Sequence, residues 1–252
     1  MDFSRYHVPR RVAAIVAFGL CLAGPAQADG NPGYDRPGLG FTPAVLQAGA
    51  ITWEQGLPDW SRSANGASLY SADTLLRVGL GGPVELQLGS SYNRLDASGM
   101  HRYGRGGSSV GLKFARPASG PVSWGLLGSV SFTDGTPAFR DSHRAYLLGA
   151  DIGWQRTVRN ALGAYVENVR SGGHDSRLLA LNDGYALTAA LNGYVEAAWQ
   201  YTAGAGTGSM AGAGLAWQVT PRVQLDGSFR HRLSGQADTW EAGLGVAIYF
   251  GR

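Results

Sequence analysis

The residues of this chain that could carry chemistry are charged and polar side chains at every second position of otherwise apolar segments. Glu85 and Gln87, for example, alternate with Leu86 and Leu88. Side chains with this spacing share one face of a strand, so the charges are expected to face a common interior. The candidate lining residues are Arg77, Glu85, Gln87, Lys113, Asp151, Glu167, Tyr194, Glu196, Asp226, Arg230 and Glu241.

Two interpretations of this charged set remain open. Opposite charges could pair across the interior and stiffen it, which is a structural role. Alternatively, Arg77, Lys113 and Arg230 could face carboxylates and form a solute-selective lining with a transverse field. Both interpretations require an interior that is polar while the other face of each strand is apolar.

Catalysis is a weaker interpretation of the same sequence. A serine and a histidine on a barrel rim could hydrolyse lipid, but the histidine needs a third group to orient it. The sequence assigns no such group, and it contains no histidine or carboxylate spacing typical of a metal site. We therefore predict no enzymatic activity, no cofactor and no metal. The residues concerned are His101, His143, His174, His231, Ser142 and Ser234.

The elements that position these residues are short strands with a period of two. Between Trp240 and Phe250, apolar residues alternate with Glu241, Gly243 and Gly245. About twelve strands are predicted, and an even number is typical of bacterial outer-membrane barrels. The predicted strands are 45–54, 74–80, 84–95, 108–116, 122–133, 145–156, 161–170, 178–187, 192–202, 210–219, 223–233 and 239–250.

The connections between these strands alternate between short and long. Residues 81–83 and 220–222 are examples of short turns, whereas 55–73, 96–107 and 134–144 are long and polar. An outer-membrane barrel has short periplasmic turns and longer outer loops. A soluble sandwich would also alternate, but the loop parity favours an all-β fold, an up-and-down antiparallel transmembrane β-barrel.

The N-terminus has the features of an export signal. Three arginines precede an apolar stretch, 12–22, that is too short to span a bilayer, and a small-residue motif ends at Ala28. We interpret residues 1–28 as a cleaved secretory signal peptide. The one cysteine, Cys21, lies within it, which excludes disulfides and thiolate metal sites from the mature chain.

A leader rich in Gly and Pro follows the signal at 29–43, and residues 44–252 are assigned to the barrel. The leader either remains in the periplasm or folds into the barrel mouth as a plug, and Asp35 and Arg36 are its charged candidates. The formal net charge of the whole chain is only +3, so we expect no nucleic-acid partner.

Several segments resemble a known family. They are Asp35-Arg36-Pro37-Gly38, Leu46-Gln47-Ala48-Gly49, and the two strands 75–80 and 84–89. In these segments the chain resembles the bacterial outer-membrane transporter family named after the meta-pathway of phenol degradation. The resemblance implies a monomeric porin-like barrel that passes small solutes, aromatic ones among them. It also implies that Arg36, Arg77 and Glu85 tie the leader to the barrel floor.

The expected function is therefore passive or weakly selective uptake of small solutes, aromatic or hydrophobic ones included, across the bacterial outer membrane. The expected partners are outer-membrane lipid, lipopolysaccharide, the barrel-assembly machinery and an unidentified small solute. Two alternatives remain: a non-conducting structural or surface-interaction barrel, and a lipid-modifying barrel enzyme. A lumen blocked by the leader would favour the first alternative.

Overall fold

The computed structural model describes residues 31–116 and 120–251. The predicted signal peptide, 1–28, lies outside the described residues. Fourteen strands form one sheet, and no helix in the described part of the chain is long and apolar enough to cross a bilayer. The strands are β1 Ile51–Gly56, β2 Asp59–Arg62, β3 Ser68–Gly81, β4 Val84–Ala97, β5 Met100–Arg105, β6 Ser109–Arg116, β7 Val122–Ser131, β8 Ala145–Thr157, β9 Asn160–Ser171, β10 His174–Ala186, β11 Leu191–Thr202, β12 Gly206–Thr220, β13 Val223–Gly235 and β14 Trp240–Phe250.

The sheet closes on itself as an antiparallel barrel. The first strand pairs with the last, with Ile51 opposite Phe250 and Gly56 opposite Gly245. Successive strands from β6 to β14 pair with their neighbours in chain order. A sheet exposed to hydrocarbon requires such closure, because lipid offers no hydrogen-bonding partner to an open edge.

The fourteen strands occupy twelve positions around the barrel. β1 and β2 both lie between β3 and β14 and make up one position, interrupted at Leu57 and Pro58. Proline has no N–H to donate, so it ends the ladder there. β5 and β6 likewise both pair with β4 and make up a second interrupted position. The predicted all-β, twelve-strand antiparallel barrel is therefore confirmed.

The first predicted strand, 45–54, is wrong in its first half. The segment before Ile51 turns instead, with the Ala50 amide donating to the Gln47 carbonyl at 3.0 Å and Gly49 at φ 77°. A positive φ is favoured by glycine and does not occur in a regular strand. Residues 45–50 precede the first strand, and we count them as the end of the leader from here on.

Two of the predicted long connections are largely strand. Within 55–73, β2 and β3 leave only residues 63–67 between them, and within 96–107 a tight turn at Ser98 and Gly99 joins β4 to β5. The connection at 134–144 is without regular strand, as predicted. Long connections were predicted because these segments are polar. The strands of this barrel extend past their apolar part, however, and their ends are polar as well.

The buried core lies inside the barrel, between its wall and the leader. Phe41 and Leu39 of the leader pack with wall residues including Leu127, Tyr165 and Met210. A second cluster joins leader residues to the last strand and consists of Tyr34, Leu46, Ala50, Ala247 and Tyr249. The leader therefore occupies space that wall side chains alone would leave open.

Candidate functional site

The leader is fixed inside the barrel at several depths. The Tyr34 hydroxyl donates to the Arg222 carbonyl at 2.7 Å, at the turn between β12 and β13. Further along, the Phe41 ring meets the Tyr165 ring edge to face, with centroids 5.7 Å apart. The chain then returns to the wall, where the Leu46 amide donates to Glu85 at 3.0 Å.

Charges from the leader and the wall form a fully buried cluster. The Arg77 Nε atom lies 2.8 Å from Glu85, and its Nη1 atom lies 3.0 Å from Glu54. Lys113 lies 3.0 Å from Glu85 and 3.3 Å from Asp35, which is the leader's contribution. Each of these five side chains is 0–1% exposed. Buried charges are tolerated only when they are paired and hydrogen-bonded, so the leader and the wall complete each other here.

Arg36 is the second ionic anchor of the leader. Its guanidinium makes a bidentate contact with Asp59, at 2.9 and 3.0 Å, and its Nε atom lies 3.2 Å from Asp226. It also donates to the Leu244 carbonyl at 3.1 Å. A bidentate arginine–carboxylate pair is strong and fixes orientation as well as position.

Backbone amides of the leader add a third kind of contact. The amides of Asp35 and Arg36 donate to Glu54 at 2.9–3.0 Å, and the Leu39 amide donates to Glu196 at 3.1 Å. Wall carboxylates therefore receive donors from the leader in addition to basic side chains.

Small residues in the wall make this close approach feasible. A Cβ atom on Gly245 would lie 2.1 Å from Arg36 Nε, and one on Gly125 would lie 2.9 Å from the Phe41 ring. Real Cβ atoms do not approach other heavy atoms so closely, so a side chain at either position would displace the leader.

A cavity of about 310 Å³, which we call the vestibule, lies between the leader and the end of the barrel that carries the long connections. We call this direction "above" the leader and the direction of the short turns "below" it. Residues 36–39 of the leader contribute to its lining, together with parts of β2, β3, β9 to β14 and Asp238. Of the predicted lining residues, Glu167, Arg230 and Glu241 contact the vestibule, and so does Arg36, a predicted charged residue of the leader. The structure thus divides the predicted set into residues that line the vestibule and residues buried against the leader below it.

The other predicted residues are placed as follows. Gln87 donates to Asp35 at 2.9 Å, and Arg230 joins Glu196 at 2.7 Å and Glu241 at 3.5 Å. Asp151 is buried, and its Oδ2 atom has no hydrogen-bond partner within the described residues. Tyr194 is also buried.

Sequence reasoning missed Glu54, Asp59 and Asp73. Glu54 could have been found, because it shares the inward face of β1 with Thr52. Asp59 and Asp73 had been placed in an outer loop, at 55–73, and were therefore not considered as wall residues.

The serine and histidine residues do not form a catalytic arrangement. Ser142 Oγ lies 3.0 Å from His143 Nδ1 on an exposed connection. His231 bonds the Thr239 carbonyl, while Ser234 bonds Ser209. No group of three or more metal-ligating side chains occurs in the part of the chain that is described.

The connection after β7 closes the gap between β5 and β6. Asp134 accepts hydrogen bonds from the Ser108 amide and hydroxyl, both at 2.8 Å. The backbone hydrogen bond from Ser108 is the largest cause that lowers the pKa of Asp134, to about 2. The Thr136 amide also donates to the Arg105 carbonyl, at 2.9 Å.

The outer face of the barrel is apolar and exposed. β4 and each strand from β6 to β14 present a large aliphatic side chain outward. Aromatic side chains are exposed near both ends of the strands, for example Trp154 and Trp217 at the short-turn end and Tyr146 and Trp199 towards the other. The outward aliphatic residues are Leu88, Leu112, Leu126, Leu148, Val166, Leu179, Val195, Leu215, Leu225 and Leu244. An apolar band between aromatic girdles is the pattern of a transmembrane barrel.

Comparisons with known proteins identify the fold. No family model and no curated protein matches the chain. Among solved structures, an outer-membrane channel from Pseudomonas putida F1 is similar over 85% of this chain and 99% of its own, with a TM-score of 0.66 and 14% identity. KdgM porin (TM-score 0.52, 9% identity) and NanC porin (0.53, 10%) each cover 80% of this chain and 99% of their own. These likenesses show the barrel fold.

Proposed function

We propose that this chain is an outer-membrane channel through which small solutes diffuse, and that the leader forms its constriction. The observation that carries the proposal is a vestibule lined by charged and apolar side chains inside a closed barrel whose outer face is apolar. An exterior of this kind is stable only against lipid, because a contiguous apolar belt of this extent in water drives aggregation. The interior charges would then meet solutes rather than hydrocarbon.

The location and the family follow as parts of the same proposal. The interpretation of residues 1–28 as a signal peptide supports export to the outer membrane. The resemblance to the phenol meta-pathway transporters, together with the contacts of Arg36 and Arg77 inside the barrel, supports membership of that family. We propose a monomer that is inserted by the barrel-assembly machinery and surrounded by lipid and lipopolysaccharide.

The solute is proposed to be small and partly apolar. Trp60, Leu69, Leu178 and Met210 line the vestibule beside its charged residues. A volume of about 310 Å³ falls at the lower end of the usual range for small-molecule pockets. An aromatic or aliphatic body with one polar group fits such a lining.

The leader favours a second candidate, a barrel that does not conduct. Its buried ion pairs and its aromatic contact with Tyr165 fill the lumen below the vestibule. Conductance in planar bilayers separates the two functions when the intact protein is compared with a variant lacking residues 31–44. We expect small or intermittent currents from the intact barrel and larger, steady currents from the deletion variant.

A deletion variant that inserts and folds but remains silent would refute the channel proposal. Folding is checked independently by the shift in gel mobility on heating, which barrels show when they unfold. Swelling of proteoliposomes in small neutral sugars gives a second measure of permeation that does not depend on ion selectivity.

A further inference from the structure

We propose that the vestibule is a binding site for small solutes carrying a guanidinium or amine group. This inference rests on the proposed channel function and names the class of solute that the channel would take. The observations that carry it are the balance of charge in the lining, two carboxylates without a basic partner, and a guanidinium already held by the wall.

Carboxylates outnumber basic groups in the vestibule. Five acidic side chains and three arginines line it. Arg36 pairs with Asp59 and Arg230 with Glu241, both of which line the cavity, so three acidic side chains of the lining and Arg177 remain outside these two pairs. The two paired arginines therefore offer little attraction to an anionic solute, and the remaining field of the cavity favours a cation.

Asp73 and Glu167 are two acidic residues of the lining whose hydrogen-bond donors are hydroxyl groups. Asp73 accepts a hydrogen bond from Ser71 at 2.5 Å, and Glu167 accepts one from Tyr165 at 2.7 Å. Within the described residues, neither carboxylate lies within ion-pair distance of a basic side chain. A hydroxyl donor stabilises a carboxylate but leaves its charge uncompensated, so a cationic group of a solute would complete the pairing.

The wall already holds one guanidinium at the edge of this cavity. The Arg36 head group is gripped by Asp59, Asp226 and the Leu244 carbonyl, and a Cβ on Gly243 would lie 2.1 Å from Asp59. Carboxylates and a backbone carbonyl of this wall therefore hold a planar guanidinium, which matches carboxylate geometry with two parallel hydrogen bonds. The contacts of Arg36 therefore show how the wall binds a guanidinium group, which is the group proposed for the solute.

Apolar side chains complete the site. Trp60 and Leu178 offer surfaces on which the carbon chain of an amine or guanidine can pack. The aromatic ring of Trp60 can also attract a cation through its face. A neutral or acidic solute of the same size would gain the apolar contacts but not the ionic ones.

The test is equilibrium binding of L-arginine to the purified full-length protein in detergent, measured by isothermal titration calorimetry. L-citrulline, which has nearly the same shape but a neutral end group, and L-glutamate are the comparison ligands. We expect arginine to bind at least about tenfold more tightly than either, because hydrogen bonds to charged groups contribute roughly one such factor or more.

The double variant Asp73→Asn, Glu167→Gln is expected to lose about tenfold or more of the arginine affinity. The matched control is Asp96→Asn, Asp175→Asn, which removes two half-buried carboxylates that do not line the vestibule, and it should bind as the wild type does. The gel mobility shift on heating shows that each variant is folded, and the single variants are used if the double one is not.

Equal affinity for arginine and citrulline, tighter binding of glutamate, or unchanged affinity in the double variant would each overturn the inference. Conductance is measured on the same preparations. A conducting barrel without preference for arginine refutes the cation site alone, whereas arginine binding by a protein whose variant lacking residues 31–44 folds but is silent refutes the channel and retains the site.

Discussion

Arg36→Gln is expected to release the leader from the barrel. The substitution keeps a polar side chain with the same first three carbons but removes the guanidinium group that binds Asp59 and Asp226. The Asp226 side chain is 0% exposed and Asp59 31%, so one of the two abandoned carboxylates has no contact with water. Removing one partner of a buried pair costs about 3–5 kcal/mol, and we take about 3 because Asp59 stays partly hydrated.

A cost of about 3 kcal/mol shifts the docking equilibrium of the leader by about a hundredfold. Chymotrypsin, which cleaves after aromatic residues, reports this shift at Phe41, a residue that is 1% exposed in the docked leader. When docking is fast, the cleavage rate follows the undocked population, so we expect it to rise by about the same factor.

Mass spectrometry distinguishes cleavage after Phe41 from cleavage in the connections between strands. Asp175→Asn serves as the control, since Asp175 pairs with exposed Arg170 away from the leader. The reasoning is refuted if Arg36→Gln leaves the cleavage rate within about twofold of the wild type while the barrel remains folded.

Three further predictions follow from other contacts of the site. Gly245→Val should also free the leader, because the new Cβ atom would overlap Arg36. The same cleavage assay checks this prediction. The control is Gly173→Ala, where a Cβ atom would have no neighbour within 4 Å, although φ is 83°. Arg77→Ala leaves buried carboxylates around one lysine, so it should lower the temperature at which the gel mobility shifts. Arg77→Lys should recover part of this loss, and an unchanged temperature in Arg77→Ala contradicts the prediction. The pKa of Asp134 is lowered, so its hydrogen bonds to Ser108 should be fully formed above about pH 4 and should be lost as the pH falls through about 2. NMR of the Asp134 carboxyl group gives the titration midpoint, and a midpoint near 4 contradicts this prediction.

The barrel could be predicted from the sequence because its signal is repeated in every strand. The alternation in 84–95 and 239–250 agrees closely with β4 and β14, and the short turns fix the parity of the connections. Even 178–187, which Asn182 and Asp183 interrupt, lies almost wholly within β10. Each strand obeys the same rule, so a local error does not alter the whole fold.

The course of the leader could not be predicted in the same way. Its Gly and Pro residues give no period, and its position depends on contacts with residues far along the chain, such as Glu196 and Arg222. The role of Asp59 was hidden for a related reason, because it follows Pro58 in a segment whose polarity indicated a loop. Long-range pairing of single charges leaves no local pattern in a sequence.

The position of the leader also decides between the two interpretations of the interior charges. Below the leader, Arg77 and Lys113 are fully buried and saturated by carboxylates, so their role in the docked state is structural. Above it, Glu167 and Asp73 face a cavity, and the hydrogen-bond donors that they meet among the described residues are hydroxyl groups. Undocking of the leader would remove Asp35 from the lower cluster and expose its basic groups to solutes. Arg77 and Lys113 would still face Glu54 and Glu85, so the lower cluster would be formally neutral below an acidic vestibule, and the selectivity of the open channel would differ from that of the vestibule.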